Sequence, residues 1–575
     1  LRLQPIYDIV ELIAQHGLSN VVACPGSRSA PLTLAFVRHK KLTTRIFPDE
    51  RSAAFIALGM AQHTGKPTVL VCTSGSAVYN FGPAISEAFF QQTPLLIFTA
   101  DRPTEWAGQQ DGQTIYQQNI FGLHCKKSFQ LPQEYDHPDN VWMINRIVNE
   151  AVNLTRQYPP GPVHINVPLR EPLYPAKNEK IQFTEKARII NETPTRASLT
   201  PDAWQQLEQA WKKYKNVLVV VGQQGSNETL LNTIEQACDL HKLPVVADIT
   251  ANLHALPWTV LHADLFLGQA SAEVKKMLRP DLLITFGNGL LSKHTKLFLR
   301  EHKPIAHWHI QPAGDVADTF QTVTEILRCE PEYFFNALQK FQGKAAFENQ
   351  KQRNYHKLWE VEERRVLRIL QDFFPQKNTG EIELTHDVIN ALPEKCGLHL
   401  ANSMSVRYAN YIGLHTTQKN VTVFSNRGTS GIDGCTSTAV GHALTSRDLQ
   451  ILITGDLAFF YDRNAFWHNY KLPNLRIILL NNHGGTIFNL IDGPSSLPEG
   501  EEYFITQQQL TAKNLCEEFG FEYLKLDHKR KTKNLLKDFF DEEKTVKVLE
   551  LESDPTANKL IFESLKEKIK KSYGT

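Results

Sequence analysis

Short apolar runs rich in Val, Ile and Leu recur along the whole chain, and each ends in a turn and gives way to a longer helical pattern. That alternation points to α/β architecture, because successive strand–helix–strand units close into parallel sheets covered by helices on both faces. In the first third the runs are Val21–Cys24, Arg45–Phe47, Thr68–Cys72, Leu95–Thr99 and Val163–Val167. The middle third repeats them at Val217–Val221, Val245–Asp248, Leu282–Phe286 and Ile305–Ile310. The last third has His399–Ala401, Val421–Phe424, Leu449–Gly455, Leu475–Leu480 and Val546–Leu551. A chain of 575 residues is too long for one hydrophobic core. The pattern predicts three doubly wound α/β domains with mainly parallel sheets, at 1–180, 195–345 and 375–575. A proline-containing connector follows the first, about Glu171–Pro201. A stretch from about Phe341 to Asp372, dense in both signs over Glu360–Arg368, reads as a solvated linker helix.

Charge and cysteine usage narrow the function classes. The net charge is +1, which leaves no broad basic field to hold nucleic acid. The eight cysteines are scattered and none forms a Cys-x-x-Cys pair, so neither a zinc site nor a disulfide framework is indicated. Reduced thiols in a cytoplasmic protein are the expectation. The first residues, Leu1-Arg2-Leu3-Gln4-Pro5, do not read as a signal peptide, and no stretch approaches the ~18 apolar residues of a membrane span.

Chemistry-bearing residues gather where strands end. Leu449–Gly455 runs into Asp456, and Leu475–Leu480 runs into Asn481-Asn482-His483-Gly484. Asp456 and Asn482 lie 26 positions apart (456 to 482), the length of one strand–helix–strand unit. A carboxylate, an amide oxygen and a Gly turn at one sheet edge are oxygen ligands suited to Mg²⁺ together with phosphate, and Mn²⁺ would suit them too. Gly-Asp, roughly 25–30 residues, then Asn-Asn resembles the motif of enzymes that use thiamine diphosphate (ThDP). Glu50 follows a strand and opens an Ala-rich helix. It reads either as a first-turn acid favoured by the helix dipole or as a carboxyl group with a raised pKa doing acid–base work. Arg28, Arg102, Arg407 and Arg427 each stand in or near a turn after a strand, with Lys293 after Gly287-Asn288-Gly289 as a further candidate. Such arginines are either solvated or aimed at anionic substrates, which guanidinium binds in a fork. Ser425–Gly434, with three glycines and a single bulky aliphatic, Ile432, reads as a tight loop approaching a ligand.

Together, Cys24-Pro25-Gly26-Ser27-Arg28-Ser29-Ala30-Pro31, Asp49-Glu50-Arg51-Ser52-Ala53, Thr73-Ser74-Gly75-Ser76-Ala77, Thr99-Ala100-Asp101-Arg102-Pro103, Ser425–Gly434 and Gly455-Asp456-Leu457 carry a resemblance. They resemble the 2-succinyl-5-enolpyruvyl-6-hydroxy-3-cyclohexene-1-carboxylate synthases, a ThDP-dependent family of menaquinone biosynthesis. The resemblance implies the ThDP-binding fold, with 1–180 holding the cofactor's pyrimidine, 195–345 central and 375–575 holding its diphosphate. It implies a homodimer or homotetramer with active sites between subunits. Glu50 would activate the aminopyrimidine, and Asp456, Asn482 and the Gly484 carbonyl would hold the metal. Ser425, Ile432, Gly455, Leu457, Thr486 and Ile487 would contact the cofactor, Ile432 supporting its bend. Arg28, Arg102, Gln113, Lys293, Ser403, Arg407 and Arg427 would line the substrate pocket, with Phe488 on its apolar wall. Arg28, Gln113, Arg407 and Arg427 would also take part in catalysis.

The implied reaction is decarboxylation of 2-oxoglutarate and conjugate addition of the resulting carbanion to isochorismate, releasing CO₂. Each substrate carries two carboxylates, which gives the basic side chains a purpose. Another ThDP-dependent 2-oxoacid carboligase or decarboxylase would share Glu50, Asp456 and Asn482, but would not be expected to need four turn arginines. A third reading, a nucleotide-binding or structural α/β protein, predicts that turnover is absent. A dinucleotide enzyme is disfavoured because no Gly-x-Gly-x-x-Gly opens a helix after the first strand.

Overall fold

The structure, a computed structural model, describes residues 3–176, 180–184, 187–341, 346–375, 380–490, 497–526, 532–541 and 544–574. The expected domain ends at 1, 345 and 575 lie outside these residues. The chain builds three six-stranded sheets, and the strand pairs in all three are parallel.

The first sheet runs Thr43–Ile46, Asn20–Ala23, Thr68–Cys72, Leu95–Asp101, Val163–Pro168, Lys127–Gln130 from edge to edge. The last repeats that winding with Asn420–Phe424, Lys395–Leu400, Leu449–Gly455, Leu475–Asn481, Lys547–Glu552 and Glu522–Lys525. The central sheet is wound differently: Glu325–Leu327, Ala306–Ile310, Leu282–Phe286, Val217–Val221, Val245–Ala247, Thr259–Val260. In such sheets ligands bind beyond the carboxyl ends of strands, where the winding reverses. In the first sheet that crevice lies between the turns after Ala23 and Cys72. In the last it lies between those after Leu400 and Gly455, whose strands are in register at Leu400 and Ile453.

Four strands were not among those the sequence predicts: Lys127–Gln130, Thr259–Val260, Glu325–Leu327 and Glu522–Lys525. Each is short and paired on one side only. A sheet margin does not require the continuous apolar run that marks a strand buried on both faces.

The charged stretch expected as a solvated linker is a helix, Ala346–Phe373, but it is not solvated all round. Tyr355, Trp359, Val366, Leu370 and Phe373 are buried and share one core with Leu218 and Phe266 of the central unit and Ile382 and Leu398 of the last. Their spacing of three, four or seven is a helical stripe hidden among charges. Buried Glu363 adds a polar lock, accepting from the backbone N–H groups of Leu261 and His262 at 3.1 and 3.0 Å and meeting His262 Nδ1 at 2.6 Å.

A second core joins the first and last sheets across two helices, Glu50–Thr64 and Cys435–Thr445. They touch backbone to backbone. A Cβ on Gly59 would lie 2.1 Å from the Thr438 carbonyl oxygen, and one on Gly441 2.1 Å from that of Ile56. Only glycine permits this approach, and it fixes where Glu50 stands relative to the last sheet.

Candidate active site

Strand Leu449–Gly455 delivers Asp456 as the first residue of helix Asp456–Tyr461, where its carboxylate is 2% exposed. It accepts from Gln508 Nε2 at 2.7 Å and from the backbone N–H groups of Leu457 and Gly484. Burial pushes its pKa up, and these donors pull it back. The next strand over ends at Asn481, and Asn482 turns inward. Asn482 donates its Nδ2 to Glu381 at 2.7 Å, while its Oδ1 is buried and finds no hydrogen-bond partner among the described residues. His483 takes a left-handed φ of 60°, which lets the chain double back to Gly484. The Gly484 carbonyl accepts from the Thr486 N–H at 3.0 Å. Thr486 is buried, Ile487 leans on the large core, and the Phe488 ring meets Phe504 with centroids 5.7 Å apart. A Cβ on Gly455 would meet no atom within 4 Å, so open space faces the start of the Asp456 helix.

This arrangement fits a divalent ion with a diphosphate. An orphaned buried amide oxygen beside a buried carboxylate needs a partner, and Asp456, Asn482 Oδ1 and the Gly484 carbonyl supply oxygen only. Among the described residues no group of three or more His, Cys, Asp or Glu could hold a metal. Any ion here is therefore bound by one carboxylate and neutral oxygens, which leaves positions for phosphate.

The loop Ser425–Gly434 is held from all three sheet units. Ser425 Oγ donates to the Leu400 carbonyl, and the Ser425 carbonyl accepts from Gln91 and Gln223, each at 2.8 Å. Buried Glu87 of helix Gly82–Phe90 accepts from Gly428 N–H, Thr429 N–H and Thr429 Oγ1, all at 2.7 Å. Asn402 donates to the carbonyls of Asn426 and Gly431 at 2.6 Å, and its Oδ1 accepts from Arg427 at 2.7 Å. Ile432 packs on Ala401, Cys435 and Ala458, close to the Gly455–Asp456 turn. Arg427 shares its surroundings with Arg407, and burial followed by Arg407's charge lowers its pKa. Arg407 donates to the carbonyl of Ser403, itself in a strained backbone geometry at φ 74°. Lys296 lies in electrostatic reach of Arg427, half-buried with its Nζ 3.0 Å from the Leu290 carbonyl. Lys293 is exposed on the first turn of the same helix.

The first sheet carries the second set. Arg28 is 6% exposed, donates to the Leu169 carbonyl at 3.0 Å, and keeps its Nε buried with no hydrogen-bond partner among the described residues. Burial, then the charge of Arg102, lowers its pKa. Arg102 lies 3.3 Å from Asp111 and donates to the Gly112 carbonyl at 2.9 Å. Gln113, exposed and at a left-handed φ of 56°, comes next, its backbone against Gly75. Glu50 stands at the carboxyl edge of this sheet. Asp49, not Glu50, caps the helix by accepting from Ser52 N–H at 3.1 Å. Glu50 is half-buried, and desolvation, with Asp49 adding to it, raises its pKa. Its charge is felt by Cys24 and Cys72.

The residues flanking Glu50 touch the segment that follows Asp456: Arg51 donates to the Tyr461 carbonyl and Asp49 accepts from Asn464 Nδ2, each at 2.7 Å. Asn402, Glu87, Lys296, Glu381 and Gln508 were not singled out from the sequence. Asn402 directly precedes the Ser403–Arg407 segment, a signal that was present; Glu381 and Gln508 belong to no local motif.

Comparison with known proteins gives a consistent result. Residues 7–122 match the family described as thiamine pyrophosphate enzyme, N-terminal TPP binding domain, and residues 181–400 match the middle domain of thiamine pyrophosphate enzymes. Over 572 residues, 99% of this chain and 100% of the relative, it is 46% identical to the 2-succinyl-5-enolpyruvyl-6-hydroxy-3-cyclohexene-1-carboxylate synthase of Cytophaga hutchinsonii. Proteins of the same name from Phocaeicola vulgatus and Flavobacterium johnsoniae are each 36% identical to it, over 95% and 90% of this chain and 94% and 90% of theirs. The chain belongs to the 2-succinyl-5-enolpyruvyl-6-hydroxy-3-cyclohexene-1-carboxylate synthase family of ThDP-dependent transferases.

Proposed function

We propose that the protein decarboxylates 2-oxoglutarate and joins the remaining four-carbon unit to isochorismate, giving 2-succinyl-5-enolpyruvyl-6-hydroxy-3-cyclohexene-1-carboxylate and CO₂ in menaquinone biosynthesis. The observation that carries this reading is the gathering of cationic side chains at the carboxyl edges of two sheets. Arg28 and Arg102 stand on the first, and Arg407 and Arg427 on the last with Lys296 in reach. Arg28 and Arg427 are held there although burial disfavours their charge. Substrates with two carboxylates each would offset that cost.

ThDP, when bound, supplies the electron sink for breaking one carbon–carbon bond and making another. The rest falls to the chain's own residues. Asp456, Asn482 and the Gly484 carbonyl would hold Mg²⁺ or Mn²⁺, which would offset the charge of the diphosphate. Glu50 holds a proton at N1′ of the aminopyrimidine, a task its raised pKa suits. Ile432 would support the cofactor from below, and Ser425, Gly455, Leu457, Thr486 and Ile487 would line its site. Ser403, Gln113, Phe488 and the cationic groups orient substrate and exclude water. Residues 1–180, 195–345 and 375–575 act as pyrimidine-binding, central and diphosphate-binding domains.

We further propose a homodimer or homotetramer in which Glu50 of one subunit faces Asp456 of another. Exposed Tyr79, Trp106, Tyr116 and Leu123 of the first unit and Tyr461 and Trp467 of the last support this. The eight buried, unpaired cysteines, and the lack among described residues of a helix long and apolar enough to cross a membrane, support a cytoplasmic enzyme.

Product analysis tests the substrate pair. The protein mixed with ThDP, Mg²⁺, 2-oxoglutarate and isochorismate should consume both acids and yield the joined product. Release of CO₂ with succinic semialdehyde alone, or equal use of pyruvate as donor, would favour the alternative carboligase or decarboxylase.

A further inference from the structure

Helix Glu381–Ala391 opens the last unit, and its first residue is 1% exposed, an unusual place for a carboxylate. Its Oε1 accepts from Asn482 Nδ2 at 2.7 Å and from Ser553 Oγ at 3.1 Å, and its carboxyl group also hydrogen-bonds Tyr408. We infer that Glu381 is a positioning residue: it fixes which way the Asn482 amide points, so that Oδ1 and not Nδ2 is offered to the Asp456 pocket. This rests on the proposed metal site.

The argument is one of donors and acceptors. A side-chain amide can be turned end for end with little change in shape, so an asparagine at a metal site is useful only if something selects its orientation. The selection here starts from an unambiguous donor, the backbone N–H of Glu381, which is bound by Asn558 Oδ1 at 3.0 Å. That contact leaves Asn558 Nδ2 to donate to Ser553 Oγ, at 2.9 Å. Ser553 Oγ is then free to donate its own proton onward to Glu381. Glu381 Oε1, the atom that takes the Ser553 proton, meets Asn482 with a remaining lone pair, so the Asn482 group facing it is the NH₂. Asn482 Oδ1 is thereby turned away, and it is the atom left buried without a partner. The reverse orientation would set an oxygen against an oxygen at Glu381 and direct an N–H at the cation. The chain of contacts runs from helix Pro555–Lys571 through Ser553, whose N–H is bound by the Asn481 carbonyl at 2.9 Å. Neighbours that orient a ligand typically change metal affinity by about 10- to 100-fold when removed.

The test is Mn²⁺ binding in the presence of ThDP, read as free Mn²⁺ by electron paramagnetic resonance, alongside the melting temperature of the full chain. Glu381→Met keeps the volume and removes both acceptors; Glu381→Gln keeps one oxygen that can accept from Asn482. Mn²⁺ affinity should fall about 10- to 100-fold in the Met variant and recover to within about threefold in the Gln variant, whatever the shift in melting temperature. Wild-type Mn²⁺ affinity in a folded Met variant, or equal losses in Met and Gln variants, overturns the inference while leaving the metal site standing. If the Met variant does not fold, Glu381→Asp replaces it, since it retains the charge but is too short to reach Asn482, and the same loss is expected. Failure of the wild-type protein to bind Mn²⁺ with ThDP would remove the metal site and the positioning role together.

Discussion

At the scale of single residues, burial raises the pKa of both Glu50 and Asp456. Glu50 is held above its ordinary value of 4.5 by desolvation, so the native chain binds more protons than the unfolded one just above that pH. Stability contributed by this residue is therefore lost as pH rises from 4.5 through the raised native value. Glu50→Gln removes that loss. The variant should melt no lower than wild type at pH 7 and bind ThDP, yet lose about 10²-fold or more in turnover. Thermal melts and steady-state rates on one preparation would check it, and surviving activity would remove the acid role. Arg427→Ala should raise KM for a substrate with the fold intact, by roughly the 1.5–3 kcal/mol of a charged hydrogen bond. Lys296→Ala should raise KM in the same assay, because Lys296 lies within reach of Arg427. The sequence made Glu50, Asp456 and the arginines legible because strand ends are marked by Gly, Pro and Asp turns. It gave no local sign of Lys296, which joins Arg427 only in the fold, nor of Glu381, whose role depends on contacts with residues about 100 and 170 positions away.

At the scale of elements, central strands were read nearly to their ends because burial on both faces demands continuous apolar runs. Val217–Val221 and Leu282–Phe286 match residue for residue. Four edge strands escaped because pairing on one side asks for less, although Thr43–Ile46 and Asn420–Phe424, also at sheet edges, were read in part. The helix Ala346–Phe373 misled for the converse reason: its charges outnumber its buried stripe, although Trp359 is fully buried. Trp359→Ala should cost about 3–5 kcal/mol in chemical denaturation. The crossing of Glu50–Thr64 with Cys435–Thr445 makes a sharper prediction. Gly441→Ala places a methyl 2.1 Å from the Ile56 carbonyl oxygen, and overpacking of this kind costs about 1–3 kcal/mol. Because the displaced helix carries Glu50, kcat should fall along with stability, whereas Trp359→Ala at permissive temperature should spare kcat.

At the scale of the whole molecule, the repeated winding of the first and last sheets explains how one chain presents two crevices, one rich in arginine with Glu50 and one built around Asp456. The central claim is that they meet across a subunit boundary. Glu50→Gln and Asp456→Ala chains should each be inactive alone. When mixed and allowed to exchange, they should form hybrids in which wild-type Asp456 of the first chain faces wild-type Glu50 of the second. For random exchange between dimers the mixture should recover about a quarter of wild-type activity. Hybrids confirmed by mass that show no recovered activity would contradict the claim.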